Sequence, residues 1–247
     1  MTTVTELATG PTVSEVQILQ RRGLIEYERC RRSVLYWAER YVYTRDDKDM
    51  KNPHKPLIAG EFAVNPRTLH VRELSDGKDD YLRFLTLLFE MERLLLVPKS
   101  RQVRISWWAM AMCLWIVQFA PAQRVACQSK KAGDSDKLLD RVQVILEQQP
   151  KVASYIPWPK WRKTTNLIRM QHGGLTGISR LEGLPEGGDK IRGETYSMVF
   201  TDESAFQAEA ESAYTAIMPL IEGGARYLGV SSARSATYFE AQINDNI

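Results

Sequence analysis

The sequence has 247 residues, of which 44% are hydrophobic and 26% are charged, and its net charge is +3. These values are typical of an ordinary globular protein, and the charge is too small to identify a partner. The longest apolar run, Trp107 to Val117, is shorter than the roughly 18 residues that a membrane span requires. No signal peptide is visible, and three scattered cysteines favour free thiols, so we expect an intracellular protein without membrane contact.

The N-terminal part of the chain has the pattern of helices. Apolar residues with helical spacing predict a helical region from Ser14 to Tyr43. Asp46 to Pro56 is polar and ends in Asn-Pro and Lys-Pro dipeptides, which predicts a loop. Tyr81 to Glu92 follows a second polar break and predicts another helix. We therefore divide the chain into an N-terminal helical segment (1–60), a main domain (61–234) and a C-terminal linker (235–247).

Short apolar runs alternate with helical stretches from Leu94 onward. Strands are predicted at Leu94–Val97, Arg124–Gln128, Ser197–Thr201 and Arg226–Ser231. Helices are predicted at Trp107–Phe119, ended by Pro121, and at Asp134–Gln148, ended by Pro150. The segment from Leu167 to Gly188 alternates as hairpins do. This order predicts an α/β fold with a mostly parallel central sheet flanked by helices on both faces.

A basic segment lies between the first of these strands and the following helix. It contains Lys99, Ser100, Arg101, Gln102, Val103, Arg104, Ile105 and Ser106. The N–H groups and the positive dipole end of a helix N-terminus attract anions, and three cations add to that charge. Ser106 supplies a hydroxyl suited to a nucleotide-bound Mg²⁺. The common phosphate-loop pattern has a lysine at the position of Ile105 and a glycine at that of Arg104, so a plain basic loop remains an alternative.

The same segment resembles the deviant Walker A motif of the large terminases of tailed bacteriophages. In that family the pattern is Lys-x-Arg-Gln-x-Gly-Ile-Ser, with the lysine at the start of the loop. This chain matches it except at Arg104, where a glycine would permit close approach or a positive φ. The resemblance implies a P-loop NTPase fold of the ASCE, RecA-like type that binds ATP and Mg²⁺ through residues 99–106. It also implies a catalytic contribution from Arg101.

A second motif, which is acidic, follows another predicted strand. The run Tyr196 to Thr201 ends in Asp202 and Glu203. Asp202 would hold Mg²⁺, and Glu203 would orient and deprotonate the attacking water. An Asp-Glu pair alone is a weak signal, because many such pairs are simply solvated. Together with the basic loop and the α/β segment between them, the pair predicts an ATPase.

The resemblance to large terminases extends to two further motifs. Arg192 and the glycine after it precede the acidic strand, and the resemblance implies that Arg192 reaches the ATP of a neighbouring subunit as a trans-acting finger. The segment Gly229 to Ala233 looks like the coupling motif of the family, in which Ser231, Ser232 and Ala233 would sense the γ-phosphate. A surface arginine and a strand end rich in small residues are the alternatives.

The resemblance, which covers roughly Val34 to Ala233, implies a motor that pumps double-stranded DNA into a capsid. Its partners would be the portal protein, the small terminase subunit and further copies of itself in a ring, by resemblance a pentamer. Its place would be the cytoplasm of the infected bacterial host. The resemblance also implies a two-domain protein, in which a nuclease domain follows the motor domain. This sequence ends soon after Ala233, so we expect no nuclease activity.

Two other functions remain open at the level of the sequence. One is a helicase-like ATPase of another family acting on nucleic acid, and the other is a non-catalytic nucleotide-binding module with a degenerate loop. Glu203 argues against the second, because a pure binding module has little use for a base. Candidate DNA contacts are the cluster of Arg29, Arg31 and Arg32 and the stretch Trp158–Lys163, for which a solvated helix face and a packed loop are the alternatives.

Overall fold

The computed structural model describes residues 13–59, 80–100, 104–172 and 177–245. The helices are α1 (Val13–Arg32), α2 (Val34–Tyr41), α3 (Asp80–Met91), α4 (Ile105–Phe119), α5 (Ala132–Val152), α6 (Ala210–Glu222) and α7 (Tyr238–Asp245). The strands are β1 (Tyr43–Arg45), β2 (His54–Pro56), β3 (Leu94–Lys99), β4 (Arg124–Ser129), β5 (Lys160–Lys163), β6 (Leu167–Gln171), β7 (Ile178–Pro185), β8 (Met198–Asp202) and β9 (Arg226–Ser232). Single 3₁₀ turns lie at Gly188–Lys190 and Ser204–Phe206.

Seven strands form one mixed sheet in the order β3-β9-β8-β4-β7-β6-β5. Five neighbouring strands of this sheet are parallel, namely β3, β9, β8, β4 and β7. The other two are antiparallel to their neighbours, β6 to β7 and β5 to β6. β1 and β2 form a separate antiparallel pair. The predicted α/β fold with a mostly parallel sheet and an N-terminal helical segment is therefore confirmed.

Helices cover both faces of the sheet. α4 and α5 pack on one face, and α4 is apolar nearly all round because it lies between the sheet and the N-terminal helices. Trp108 at its centre is fully buried, and its indole N–H donates to the Thr86 hydroxyl at 2.9 Å. α6 packs on the opposite face, where Val199, Ile217 and Tyr227 form a second cluster. Within the described ranges no helix combines the length and apolarity needed to cross a bilayer.

The N-terminal helices belong to the larger of the two cores. The Trp115 indole N–H donates to the backbone carbonyl of Cys30 at 2.9 Å. The Tyr27 hydroxyl donates to the backbone carbonyl of Gln118 at 3.1 Å. Trp37 is fully buried in the same cluster. These contacts fix α1 and α2 against α4, which begins directly after the basic loop.

Three predicted boundaries were wrong. The helical region from Ser14 to Tyr43 is two helices, because Ser33 is extended and its hydroxyl caps α2 by accepting from the Tyr36 N–H at 3.2 Å. The predicted loop Asp46–Pro56 ends in β2. Pro150 lies inside α5 instead of ending it, and the carbonyl of Gln149 still accepts from the Ala153 N–H at 2.9 Å.

Candidate active site

Three parallel strands end at one edge of the sheet with polar residues. β9 lies between β3 and β8, so the carboxyl ends of all three are adjacent. Lys99 at the end of β3 is aligned with Ser232 on β9, and Asp202 at the end of β8 is aligned with Val230. The carboxyl edge of a parallel sheet is where ligands bind in open α/β folds. The fold thus brings the basic loop and the acidic pair together although they are far apart in the sequence.

Lys99 is the centre of this cluster. Its ammonium nitrogen lies 3.1 Å from Glu203 Oε1 and 3.6 Å from Asp202 Oδ1. It also donates to the Ser106 hydroxyl oxygen at 3.4 Å. Only 10% of the Lys99 side chain is exposed, so its charge is held in a largely water-excluded position. The cation is therefore within reach of both predicted carboxylates and of the serine in the first turn of α4.

Asp202 has a buried carboxylate whose hydrogen-bonding capacity is only partly used by the described residues. Burial raises its pKa above the ordinary value, Glu203 raises it further, and the cations Lys99 and Arg141 oppose the shift. Its Oδ1 is buried and accepts no hydrogen bond in the described part of the chain. A buried carboxylate oxygen without a donor fits a hard divalent cation, because such ions prefer oxygen ligands. The predicted metal-binding role therefore suits this residue.

Glu203 stands at a bend in the backbone. Its φ of 52° and ψ of 44° place it in the left-handed region, which is uncommon for a residue with a side chain. The Ser232 N–H donates to Glu203 Oε2 at 3.2 Å, and the Ser232 hydroxyl lies 3.5 Å from Oε1. The side chain is 36% exposed, more than that of Asp202. The two carboxylates thus have different surroundings, one buried and one open to water.

The predicted coupling residues lie directly beside this bend. The Ser231 hydroxyl is buried, accepts from the Ala205 N–H at 3.0 Å and donates to the Ser232 carbonyl at 3.1 Å. Ser232 contacts Glu203, whereas Ala233 is exposed. The end of β9 is therefore hydrogen-bonded to the segment that carries the acidic pair.

The basic loop is described only at its two ends. Ser100 is exposed, and Arg101, Gln102 and Val103 lie outside the described residues. Arg104 directly precedes α4 with a φ of −45°, and its guanidinium donates to the Pro56 carbonyl at 3.2 Å. This negative φ is open to any residue, so the conformation at Arg104 does not require glycine. Ile105 is buried and anchors the start of the helix.

Arg192 lies away from the cluster formed around Lys99. It follows the 3₁₀ turn at Gly188–Lys190, and its guanidinium donates to Asp189 at 3.1 Å. Its side chain is 57% exposed. Among the described residues it contacts neither Lys99 nor the acidic pair. An exposed arginine held by one solvent-exposed partner is available to another molecule.

One arginine of the site was missed at the level of the sequence. A cleft of roughly 400 Å³ beside Asp202 and Glu203 is lined on its other side by α5, including Lys137 and Arg141. Burial lowers the pKa of Arg141, and Asp202 opposes that shift. A signal existed, because positions 134, 137, 138 and 141 share one face of a helix. Polar residues on such a face are usually solvated, and nothing local shows that the face meets a strand end.

Solved structures of two phage proteins are similar to this chain, whereas no protein-family model matches the sequence. One is the large terminase of bacteriophage HK97, with a TM-score of 0.56 and 12% identity over 87% of this chain and 40% of the other. The second is the large terminase of the thermophilic bacteriophage D6E, with a TM-score of 0.53 and 15% identity over 67% of this chain and 41% of the other.

These similarities confirm the predicted resemblance at the level of the fold. The chain has a mostly parallel, helix-flanked sheet and shares its fold with part of each of these large terminases. It spans about two fifths of the length of either protein. At such low identity the similarity carries no information on individual residues, so the site depends on its own geometry.

Proposed function

We propose that this chain is the ATPase motor domain of a tailed-phage large terminase, which hydrolyses ATP to move double-stranded DNA into a capsid. The observation that carries the proposal is the position of Lys99, within 3.1 to 3.6 Å of Glu203, Ser106 and Asp202. A cation, a hydroxyl at a helix start and two carboxylates are the groups that phosphoryl transfer requires. The terminase-like fold supports the choice of this motor over other nucleotide hydrolases.

In this proposal the basic loop binds the phosphates of ATP. Lys99 would turn from the carboxylates to the β- and γ-phosphates, and the N–H groups of the loop up to Ser106 would donate to phosphate oxygens. Arg101 adds a second cation to the loop. Ser106 and Asp202 would hold Mg²⁺, which neutralises charge on the phosphates when it is bound.

Glu203 is the proposed general base. Its carboxylate is more exposed than that of Asp202 and is held by the Ser232 N–H, so it can accept a hydrogen bond from a water molecule in the cleft. Removing a proton from that water as it attacks the γ-phosphate produces ADP and phosphate. Because Ser231 and Ser232 contact the same segment, a shift of Glu203 would be transmitted to β9. This is the proposed route of coupling.

The remaining parts of the proposal concern assembly. Arg192 would act on the ATP of a neighbouring copy, which requires a ring, and by resemblance to the family a pentamer. The portal protein and the small terminase subunit are the proposed partners, and the cytoplasm of the bacterial host is the proposed location. We propose that residues 61–234 form the motor, preceded by a helical segment (1–60) and followed by a linker (235–247).

The proposal is tested by measuring ATP hydrolysis with Mg²⁺ over a range of protein concentrations, together with nucleotide binding. We expect turnover in the parent chain that rises with concentration, and its loss in Lys99→Ala and Glu203→Gln. The glutamine variant should still bind ATP, because it keeps the shape of the side chain and removes only the base. Lys151→Ala and Glu222→Gln, both exposed, are the matched controls.

Two results separate the parts of this proposal. Nucleotide binding that is lost in Lys99→Ala, without turnover in the parent, would retain the site and contradict the catalytic role of the isolated chain. If the parent chain neither binds nor hydrolyses ATP, the assignment of the basic loop is wrong, and the motor function is wrong with it.

A further inference from the structure

A row of four arginines crosses the antiparallel side of the main sheet. Arg162 on β5 is aligned with Arg169 on β6, which is aligned with Arg180 on β7, which is aligned with Arg124 on β4. Residues directly opposite each other in neighbouring strands lie on the same face of a sheet. With strands about 4.8 Å apart, the first three span roughly 10 Å and all four roughly 14 Å.

This face is the one that α6 covers further along the sheet. Ala126, two residues after Arg124, belongs to the cluster beneath α6, whereas Ile168 and Leu181, which alternate with the arginines, point into the core on the other side. Arg162 and Arg169 are exposed, and Arg180 is half-buried. Lys160, two residues before Arg162 on the same face, is exposed as well.

Three of the four arginines have no partner in the described structure. Arg124 is paired with Glu182 at 3.2 Å, contacts Glu194 and lies over the ring of Tyr196. In the described part of the chain the side chains of Arg162, Arg169 and Arg180 make no hydrogen bond or ion pair. Like charges directly opposite each other in a sheet disfavour folding. Three adjacent arginines without counter-charges are therefore a cost to the fold that an anionic ligand would offset.

The other basic candidates on the chain differ in this respect. On α1, Arg31 and Arg32 both bind Glu28, at 2.6 and 2.7 Å, and Arg29 lies 3.4 Å from Glu26. Lys163 binds Asp140 at 2.8 Å. Trp158 and Trp161 pack against the core and do not flank the arginines. Each arginine of the helix cluster is thus paired with a glutamate. Of the two faces of β5, the one that carries Lys160 and Arg162 has cations without a partner in the described part of the chain.

We propose that the surface formed by Lys160, Arg162, Arg169 and Arg180 binds the phosphate backbone of double-stranded DNA. Guanidinium groups pair well with phosphates, and a row of roughly 10 Å is close to the groove width of about 12 Å that separates phosphates on the two strands. Tyr196, the aromatic ring that contacts the row through Arg124, is buried and cannot stack on unpaired bases, which favours a duplex over a single strand. The choice of DNA as the polyanion rests on the proposed function.

The test measures binding of a labelled 30-base-pair duplex to the full chain without nucleotide, at several salt concentrations. The variant R162Q/R169Q/R180Q is compared with R29Q/R31Q/R32Q, which removes the same charge from α1. We expect the first variant to flatten the slope of log K against log salt by about 0.9 for each arginine–phosphate pair that it removes, about 2.7 in all. The α1 variant should keep the parental slope. The unfolding temperature of the sheet variant should not fall, because the substitutions remove only repulsion between like charges.

Each outcome has one meaning. An equal loss of binding in both triple variants would show that net charge alone attracts DNA, and parental binding by the sheet variant would show that DNA lies elsewhere; either overturns the inference. Tighter binding of a single strand than of the duplex would also overturn it. If the parent chain does not hydrolyse ATP but duplex binding is lost in the sheet variant alone, the motor function is contradicted and the DNA-binding role of this surface is retained.

Discussion

Replacing Asp202 by asparagine should stabilise the nucleotide-free fold. The Asp202 side chain is only 13% exposed, and its Oδ1 has no hydrogen-bond donor within the described residues. Burial raises its pKa and the charge of Glu203 adds to the shift, which means that desolvation and this repulsion together exceed the attraction of Lys99 and Arg141. Asparagine has nearly the same shape and carries no charge. Lys99 keeps its closer partner, Glu203, at 3.1 Å.

The size and sign of the effect follow from these contacts. An unsatisfied buried polar group costs about 1–3 kcal/mol, and single stabilising substitutions commonly yield about 0.5–2 kcal/mol. We expect a gain near 1 kcal/mol, which is about 2–4 °C in unfolding temperature for a chain of this size. A carboxyl with a raised folded-state pKa favours folding fully below its unfolded pKa, and this contribution is lost as the pH rises through the folded value. The gain in the Asp202→Asn variant should therefore be present at about pH 7.5 and shrink towards about pH 4.

The measurement is thermal unfolding of the parent and variant in EDTA at several pH values, with Asp47→Asn as the control. Asp47 is an exposed carboxylate, so its replacement should change stability by less than about 0.5 kcal/mol. The Asp202→Asn variant should at the same time lose Mg²⁺-dependent hydrolysis. A lower unfolding temperature of this variant near neutral pH, or a gain that persists unchanged in acid, would falsify the explanation.

Two further predictions concern the proposed neighbour contact and the packing of α1. Arg192→Ala should lower hydrolysis by about 10³-fold or more. Mixing this variant with Glu203→Gln should restore part of the activity, because each variant supplies the residue that the other lacks. Full activity of Arg192→Ala alone at high protein concentration would contradict the trans-acting role. Gly23→Ala should cost about 1–3 kcal/mol in chemical denaturation, since its Cβ would lie 2.0 Å from the Tyr155 carbonyl oxygen. Gly133→Ala, with no atom within 4 Å, should be neutral or gain up to about 1 kcal/mol, and equal effects of the two would contradict the packing.

The central strands could be predicted because their sequence signals are local. β4 and β8 are buried on both faces and read as short apolar runs, and helical periodicity separates them. The acidic pair could be placed at the edge of the sheet for the same reason, since it directly follows a buried strand. The Ser33 break and the position of Pro150 could not be predicted, because in each case local hydrogen bonds decide between continuing and ending a helix.

Features that depend on contacts between distant segments could not be derived from local sequence patterns. The arginine row exists only through the register of β5, β6 and β7, and a shift of one residue would move one arginine to the opposite face. Arg141 is similar, because its role depends on which strand end its helix covers. The conformation at Arg104 differs from its expectation for another reason. The glycine of the family pattern indicated a special backbone there, and the negative φ shows that none is needed.

The contact between Lys99 and Glu203 would couple nucleotide binding to the proposed base. While the Lys99 ammonium group lies 3.1 Å from Glu203 Oε1, it takes up a hydrogen-bonding position that an attacking water would otherwise use on that carboxylate. Phosphates entering the basic loop would compete for the same cation, and Glu203 would be free to accept a hydrogen bond from water only when a nucleotide is in place. The Ser232 N–H also donates to Glu203, so a change of partner by Lys99 would alter the hydrogen bonding at the end of β9. Nucleotide binding, release of Glu203 towards water and the signal to β9 would then follow from one lysine changing partners.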